Sequence, residues 1–403
     1  MDDLDTISDP ETGADPADTP TFAALGVSER LAAALAAGGI SQPFAIQALT
    51  IPDALAGRDV LGKAKTGSGK TLAFGIPMLE RISDAGPGSP TGLVLVPTRE
   101  LAGQVTDVLD PLGRACDRLV DAVYGGTSMD RQIAALRAGV DLVVGTPGRL
   151  IDLIERGELK LDKIEILVLD EADRMADMGF LPQVQKILYN IPGEPQMMLF
   201  SATLDGGVGA IVRRYMHDPI HHEVAGKDPT VEEMEHLFLH VHEMDKVKVA
   251  AAIVRGAGRT LLFCRTKRAA DNLERALRRE DVRAVAIHGD LRQGNRERAL
   301  ADFMSGKATA LVATDVAARG LHIDAVDVVV HYDPADDHKQ YLHRSGRTAR
   351  AGASGVAVTL ALWNEENAAR MVMRRLGLSS NFPEVFSNNP NLANLAGWDG
   401  VSQ

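Results

Sequence analysis

Short apolar runs, each closed at once by a polar or glycine-bearing signature, recur along this chain and constrain its fold more than any other feature. In the first half, the run 59–61 precedes Ala64-Lys65-Thr66-Gly67-Ser68-Gly69-Lys70-Thr71, and 93–96 precedes Pro97-Thr98-Arg99-Glu100. The runs 142–144, 166–169 and 197–200 lead into Gly145-Thr146-Pro147-Gly148-Arg149, Asp170-Glu171-Ala172-Asp173 and Ser201-Ala202-Thr203. Helical patterns lie between them, for example at 130–138 and 180–188. Strand, signature and helix in repetition predict a doubly wound parallel sheet. The runs 260–263, 284–287, 310–313, 326–330 and 356–360 repeat the pattern in the second half.

A chain of 403 residues is long for one core, and two tandem α/β domains are expected. The expected division is an acidic leader at 1–20, a first domain at 21–217, a linker at 218–230, a second domain at 231–377 and a short polar tail at 378–403. The linker reading rests on Pro219, Gly226 and Pro229 in a polar stretch without clear periodicity. Seven acids and no Lys or Arg fall in the leader, so removing it takes the net charge from −12 to −5. Such a segment reads as a solvated tail. No apolar run approaches the ~18 residues of a membrane helix, and the N-terminus lacks the pattern of a secretory signal. Cys116 and Cys264 stand far apart, without Cys or His at ligand spacing, which argues against zinc and disulfide frameworks and for a cytoplasmic setting.

Three signatures carry chemistry. Residues 64–71 match a phosphate-binding loop except that Ala64 stands at its first Gly. Gly67 and Gly69 allow backbone N–H groups close to phosphate oxygens, Lys70 would reach the β/γ-phosphates, and the Thr71 hydroxyl would ligate Mg²⁺. In the acidic quartet, Asp170 would hold the metal, in part through water, and Glu171 would be the base that activates the attacking water. Alone, the acidic quartet reads equally as an ordinary helix start decorated with acids, and a pattern as short as the loop occurs by chance as a Gly-rich turn; together, each on a strand end, they predict nucleoside triphosphate hydrolysis. The third signature is His343-Arg344-Ser345-Gly346-Arg347-Thr348-Ala349-Arg350. On a helix, Arg347 and Arg350 would share a face and stabilise charge on a γ-phosphate.

This ordered set resembles the DEAD-box RNA helicases, and Arg174-Met175-Ala176-Asp177-Met178-Gly179-Phe180 is similar to bacterial members. The resemblance runs from about Phe22 to about Leu376. It implies two tandem RecA-like doubly wound parallel-sheet domains joined by a short linker, with ATP and Mg²⁺ used in a cleft between them. By resemblance, Gln47 reads the N6/N7 edge of adenine and Phe22 stacks on the base. Asp173, Ser201, Thr203 and His343 couple hydrolysis to domain closure. Pro97, Thr98, Arg99, Gly125, Gly126, Thr146, Gly148 and Arg149 face RNA in the first domain. Arg265, Thr266, His288, Gly289, Gln293, Arg296, Thr314 and Gly320 do so in the second. Hydroxyls, glycine-flanked amides and single Arg side chains grip a sugar-phosphate backbone and read little sequence. An aromatic content of 4% offers no evident base-stacking platform for RNA.

His322 stands where the family has an Asp that accepts from the ATP ribose. The expected result is weaker ATP binding, worsening as His322 protonates below about pH 6.5, unless water bridges the gap. Arg319, in the same motif, is structural or near the cleft. The sequence after Leu376 is not basic, so modest, salt-sensitive RNA binding or help from a protein partner in ribosome assembly or RNA decay is expected. The function implied is RNA-stimulated ATP hydrolysis coupled to local RNA unwinding or remodelling. The alternatives are an ATP-switched RNA clamp or scaffold with little strand separation and, less favoured, a DNA translocase.

Overall fold

Central strands of a parallel sheet are covered on both faces, so they require apolar residues at every position. The computed structural model describes residues 20–63, 68–204, 206–224, 234–318, 323, 326–348, 355–379 and 381–398. The chain divides into two compact units, 1–225 and 226–403.

The first unit contains β1 (Val60–Lys63), β2 (Gly92–Leu95), β3 (Val120–Val123), β4 (Leu142–Gly145), β5 (Ile166–Asp170), β6 (Gln196–Ser201) and β7 (Ile220–Glu223). They form one parallel sheet in the order β3-β4-β2-β5-β6-β1-β7. Successive side chains point to opposite faces. Val94, Val144, Val168 and Phe200 therefore enter one buried cluster, while Leu93, Leu95, Val143, Leu167 and Leu169 enter the other. The helices Glu29–Ala37, Ala45–Leu55, Lys70–Arg81 and Arg99–Ala115 cover the first face. Pro147–Glu155, Ala172–Asp177, Leu181–Tyr189 and Gly206–Tyr215 cover the second.

The second unit contains β8 (Met234–His240), β9 (Thr260–Cys264), β10 (Ala284–Ile287), β11 (Ala310–Thr314), β12 (Val328–His331) and β13 (Gly355–Ala361). This sheet is also parallel, in the order β10-β11-β9-β12-β13-β8. Leu262, Val312, Val330 and Val358 face one cluster, and Leu261, Phe263, Leu311 and Val329 face the other. The two doubly wound sheets match the expected architecture.

Two expected boundaries differ. The segment read as a linker contains β7, which adds to β1 in the register Val60↔Ile220. Asp59 fixes it: its carboxylate accepts from His217 N (2.7 Å) and Met197 N (2.7 Å), and its carbonyl accepts from Ile220 N (2.9 Å). The tail is likewise part of the second unit. Val385, Leu392 and Leu395 are buried in its core, and His240 exchanges backbone bonds of 2.8 Å with Pro383 and Val385. The acidic leader lies outside the described residues apart from Pro20. Among the described residues, no helix is long and apolar enough to cross a membrane.

Candidate active site

Because every strand of the first sheet runs the same way, its signatures collect along one carboxyl edge, where doubly wound sheets bind ligands. β5 ends on Asp170, and β6 lies between it and β1, whose loop feeds the helix Lys70–Arg81. Ala64, Lys65, Thr66 and Gly67 lie outside the described residues. Lys70 begins that helix and is buried, its Nζ 3.9 Å from Asp170 Oδ1. A buried cation beside a buried carboxylate offsets some of the desolvation cost that each would bear alone. Thr71, the next residue, is half-buried.

Glu171 follows in the left-handed conformation (φ 52°, ψ 49°), a strained geometry for a residue with a Cβ. Its N–H donates to Asp170 Oδ1 (2.9 Å), and its carboxylate pairs with Arg174 one helical turn on. Such strain at a buried carboxylate on a strand end is a local exception of the kind found at functional sites. Asp173 points instead to β6. Its N–H donates to Ser201 Oγ (3.2 Å), and its Oδ2 accepts from Ala202 N (3.2 Å). Ser201 Oγ in turn donates to Thr203 O (2.6 Å), so the expected link from the quartet to Ser-Ala-Thr exists within this unit.

Gln47 lies beside Gly69 and is almost wholly buried. Its Nε2 donates to Gly69 O (2.9 Å), and its Oε1 accepts from Phe44 N (2.9 Å). Phe22, expected to stack on the base, is instead 3% exposed inside the apolar cluster. Its side chain follows the hydrophobic driving force into the core, whereas Phe44, near Gln47, is 60% exposed.

Further along the same edge, β2, β3 and β4 deliver the other first-unit signatures. Pro97 and Thr98 follow β2, and Thr98 Oγ1 caps the next helix by accepting from Leu101 N (3.2 Å). Arg99, at the head of that helix, lays its guanidinium against Gly125 and Gly126, which follow β3. Gly126 has φ +87° and no room for a Cβ beside Arg99. Thr146 and Gly148 follow β4, with Gly148 open to solvent. Arg149 Nη1 donates to Gln132 Oε1 (2.8 Å), and Gln132 Nε2 donates to Thr127 Oγ1 (2.6 Å) and Tyr124 O (2.9 Å). Gln132 and Thr127 were not expected from sequence, nor was the Arg174 pairing, although the i, i+3 spacing of Glu171 and Arg174 was a readable signal.

In the second unit the same logic gathers a second edge. After β9, Arg265 N donates to Asp333 Oδ2 (2.7 Å), and Thr266 caps a helix by accepting from Ala269 N (3.1 Å). After β10, His288 is buried with its Nε2 2.7 Å from Asp271 Oδ1, and Gly289 is exposed. Gln293 and Arg296 stand in the first turn of the helix Gln293–Met304. Thr314 ends β11, and the next residue, Asp315, receives Arg344 through two 2.7 Å bonds. Arg344 is 2% exposed, also donates to Asp333 O (2.7 Å), and lies 5.1 Å from the Phe263 ring centroid. It is therefore a structural tie between β9, β11 and the helix His338–Ser345. His343 is exposed on that helix.

The helix stops at Ser345 with Gly346 as its cap, so Arg347 lies in the turn beyond it. The expectation that Arg347 and Arg350 share a helical face is corrected for Arg347: Gly346, a poor helix former, follows Ser345 and the helix ends before Arg347. Arg350 lies outside the described residues, as do Arg319, Gly320 and His322.

The DEAD/DEAH box helicase family model matches residues 44–210, and the helicase conserved C-terminal domain model matches residues 245–352. The chain is 43% identical over 353 residues to the ATP-dependent RNA helicase CshA of Listeria monocytogenes, covering 87% of this chain and 68% of that protein. It is 41% identical over 356 residues to the DEAD-box ATP-dependent RNA helicase CshA of Bacillus subtilis, covering 88% and 72%. Among solved structures it resembles S. cerevisiae Dbp5 bound to RNA and ADP BeF3, with a TM-score of 0.76 and 30% identity over 91% of this chain and 96% of that one. One family model falls on each unit and the curated likeness spans most of the chain, so the protein belongs to the DEAD-box ATP-dependent RNA helicases.

Proposed function

We propose that this chain couples RNA-stimulated ATP hydrolysis to local unwinding or remodelling of RNA. One observation carries the reading: the Lys70–Asp170–Glu171 group and the Arg99, Gly126 and Arg149 cluster sit on one carboxyl edge of one sheet. Occupancy by nucleotide and by an RNA backbone can then be coupled through a single rigid scaffold. Lys70 binds the β/γ-phosphates, and Gln47 reads adenine with the hydrogen and lone pair that its internal bonds leave over. Thr71 and Asp170 offer hard oxygen ligands, which suit Mg²⁺ held partly by phosphate and water. The ion, when bound, neutralises charge on the phosphates. Glu171 orients the attacking water and accepts its proton. Arg347 and Arg350 are assigned the stabilisation of charge developing at the γ-phosphate. With ATP bound, the RNA backbone is held in a shape that duplex RNA cannot keep, and product release frees it. The cytoplasm is the proposed setting.

Glu171→Gln should retain ATP and RNA binding and lose RNA-stimulated turnover by about 10²–10⁴-fold, the usual weight of a general base. Normal turnover in that variant overturns the assignment. A short-duplex assay beside the ATPase assay separates unwinding from clamping, because a clamp turns over ATP without releasing a strand.

A further inference from the structure

The position before the helix Ala45–Leu55 breaks a local rule. An N-cap favours Ser, Thr, Asp or Asn, whose side chain accepts from the first turn, yet this one is Phe44 with no side-chain cap. Gln47 Oε1 accepts from Phe44 N (2.9 Å), which leaves the first-turn N–H groups without a side-chain acceptor at the cap. Phe44 is 60% exposed, although a large apolar side chain gains by burial. It is also placed at Gly69, the residue before Lys70: a Cβ on Gly69 would lie 2.6 Å from Phe44 Cδ2 and collide with Gln47 Nε2. Ring, carboxamide and Gly69 therefore meet at one point. A position that gives up a cap and leaves a large apolar side chain exposed breaks two local rules at once, and such breaks fall at functional sites.

We propose that Phe44 is the aromatic side chain against which the nucleotide base packs, the role that the buried Phe22 is not placed to fill. The inference rests on the nucleotide reading above and refines it. Gln47 reads the edge of the base while Phe44 covers a face, so affinity for the base, and not for the phosphates, depends on the ring.

Calorimetric titration with ADP and with tripolyphosphate separates the two contributions. Phe44→Ala should weaken ADP about tenfold, the scale of one base–aromatic stack, and leave tripolyphosphate unchanged. Phe44→Trp should bind ADP like the wild type and change its indole emission on adding ADP but not tripolyphosphate. The melting temperature should hold in both variants because the ring is exposed, whereas Phe22→Ala should lower it. ADP affinity within twofold of wild type in Phe44→Ala overturns the assignment, as do equal losses for the two ligands, which would mean that the ring acts through the loop. A wild type that binds no ADP overturns the nucleotide reading itself, an outcome distinct from either.

Discussion

Gly69 holds the left-handed conformation (φ +84°), with its Cα face closed by Gln47 and Phe44 and its carbonyl bonded to Gln47 Nε2. Any side chain there meets two penalties, about 1–2 kcal/mol for the backbone and the displacement of a buried carboxamide. Gly69→Ala should lower the melting of the first unit by several degrees, at about 2–4 °C per kcal/mol, and weaken ADP. Wild-type melting with wild-type affinity would show that the loop tolerates the change. At this scale much of the candidate site could be read from the sequence. Lys70, Asp170 and Glu171 are named by residue type and adjacency to an apolar run. What could not be read depends on packing: Phe22 and Phe44 are both aromatic, and only the fold buries one and exposes the other. Arg344 is similar, since its burial against Asp315 and Phe263 turns one Arg of a basic signature into a structural tie.

At the scale of elements, the strands that sequence missed share one property. β3, β7 and β8 are all sheet edges, as their places in the strand orders show. An edge strand pairs on one side only and needs no continuous apolar run, so Ile220-His221-His222-Glu223 reads as polar linker although it pairs with β1 throughout. The interior strands are buried on both faces and announce themselves. The tail escaped for a related reason, because Phe382, Val385, Leu392 and Leu395 are scattered among Asn, Ser and Pro without a period. In the structure the short helix Pro390–Ala393 lies on the helix Lys246–Ala257, so close at Gly256 that no Cβ would fit beside Ala393. Leu392→Ala with Leu395→Ala should therefore destabilise the second unit by about 2–5 kcal/mol per site, as core truncations do, with first-unit melting unchanged. A double variant that melts like the wild type would make the tail an appendage.

For the whole molecule, two units with separate cores imply separable unfolding transitions, and pH should act on them unequally. The second unit buries His331 completely at the end of β12. Its ring stacks on Tyr341 (centroids 4.4 Å apart), Nε2 lies 3.1 Å from Ser345 Oγ, and Nδ1 has no partner among the described residues. Burial first, then the nearby Arg344 guanidinium and His236, push its pKa well below the usual 6.5. Phe263 and Thr359, from the flanking strands, add no compensating charge. Between the folded and unfolded pKa values only the unfolded chain binds the proton. The stability contributed by the neutral ring is therefore complete above about pH 6.5 and is lost as pH falls, by up to about 1.4 kcal/mol per pH unit. The second unit's transition should move down on acidification from pH 7 to 5 more than the first's, and His331→Gln should flatten that slope at some cost in stability at pH 7. Equal acid slopes in wild type and His331→Gln, followed by calorimetry, would remove His331 as the cause. If the slope belonged to the first unit, the acid sensitivity would lie in the nucleotide-binding half instead.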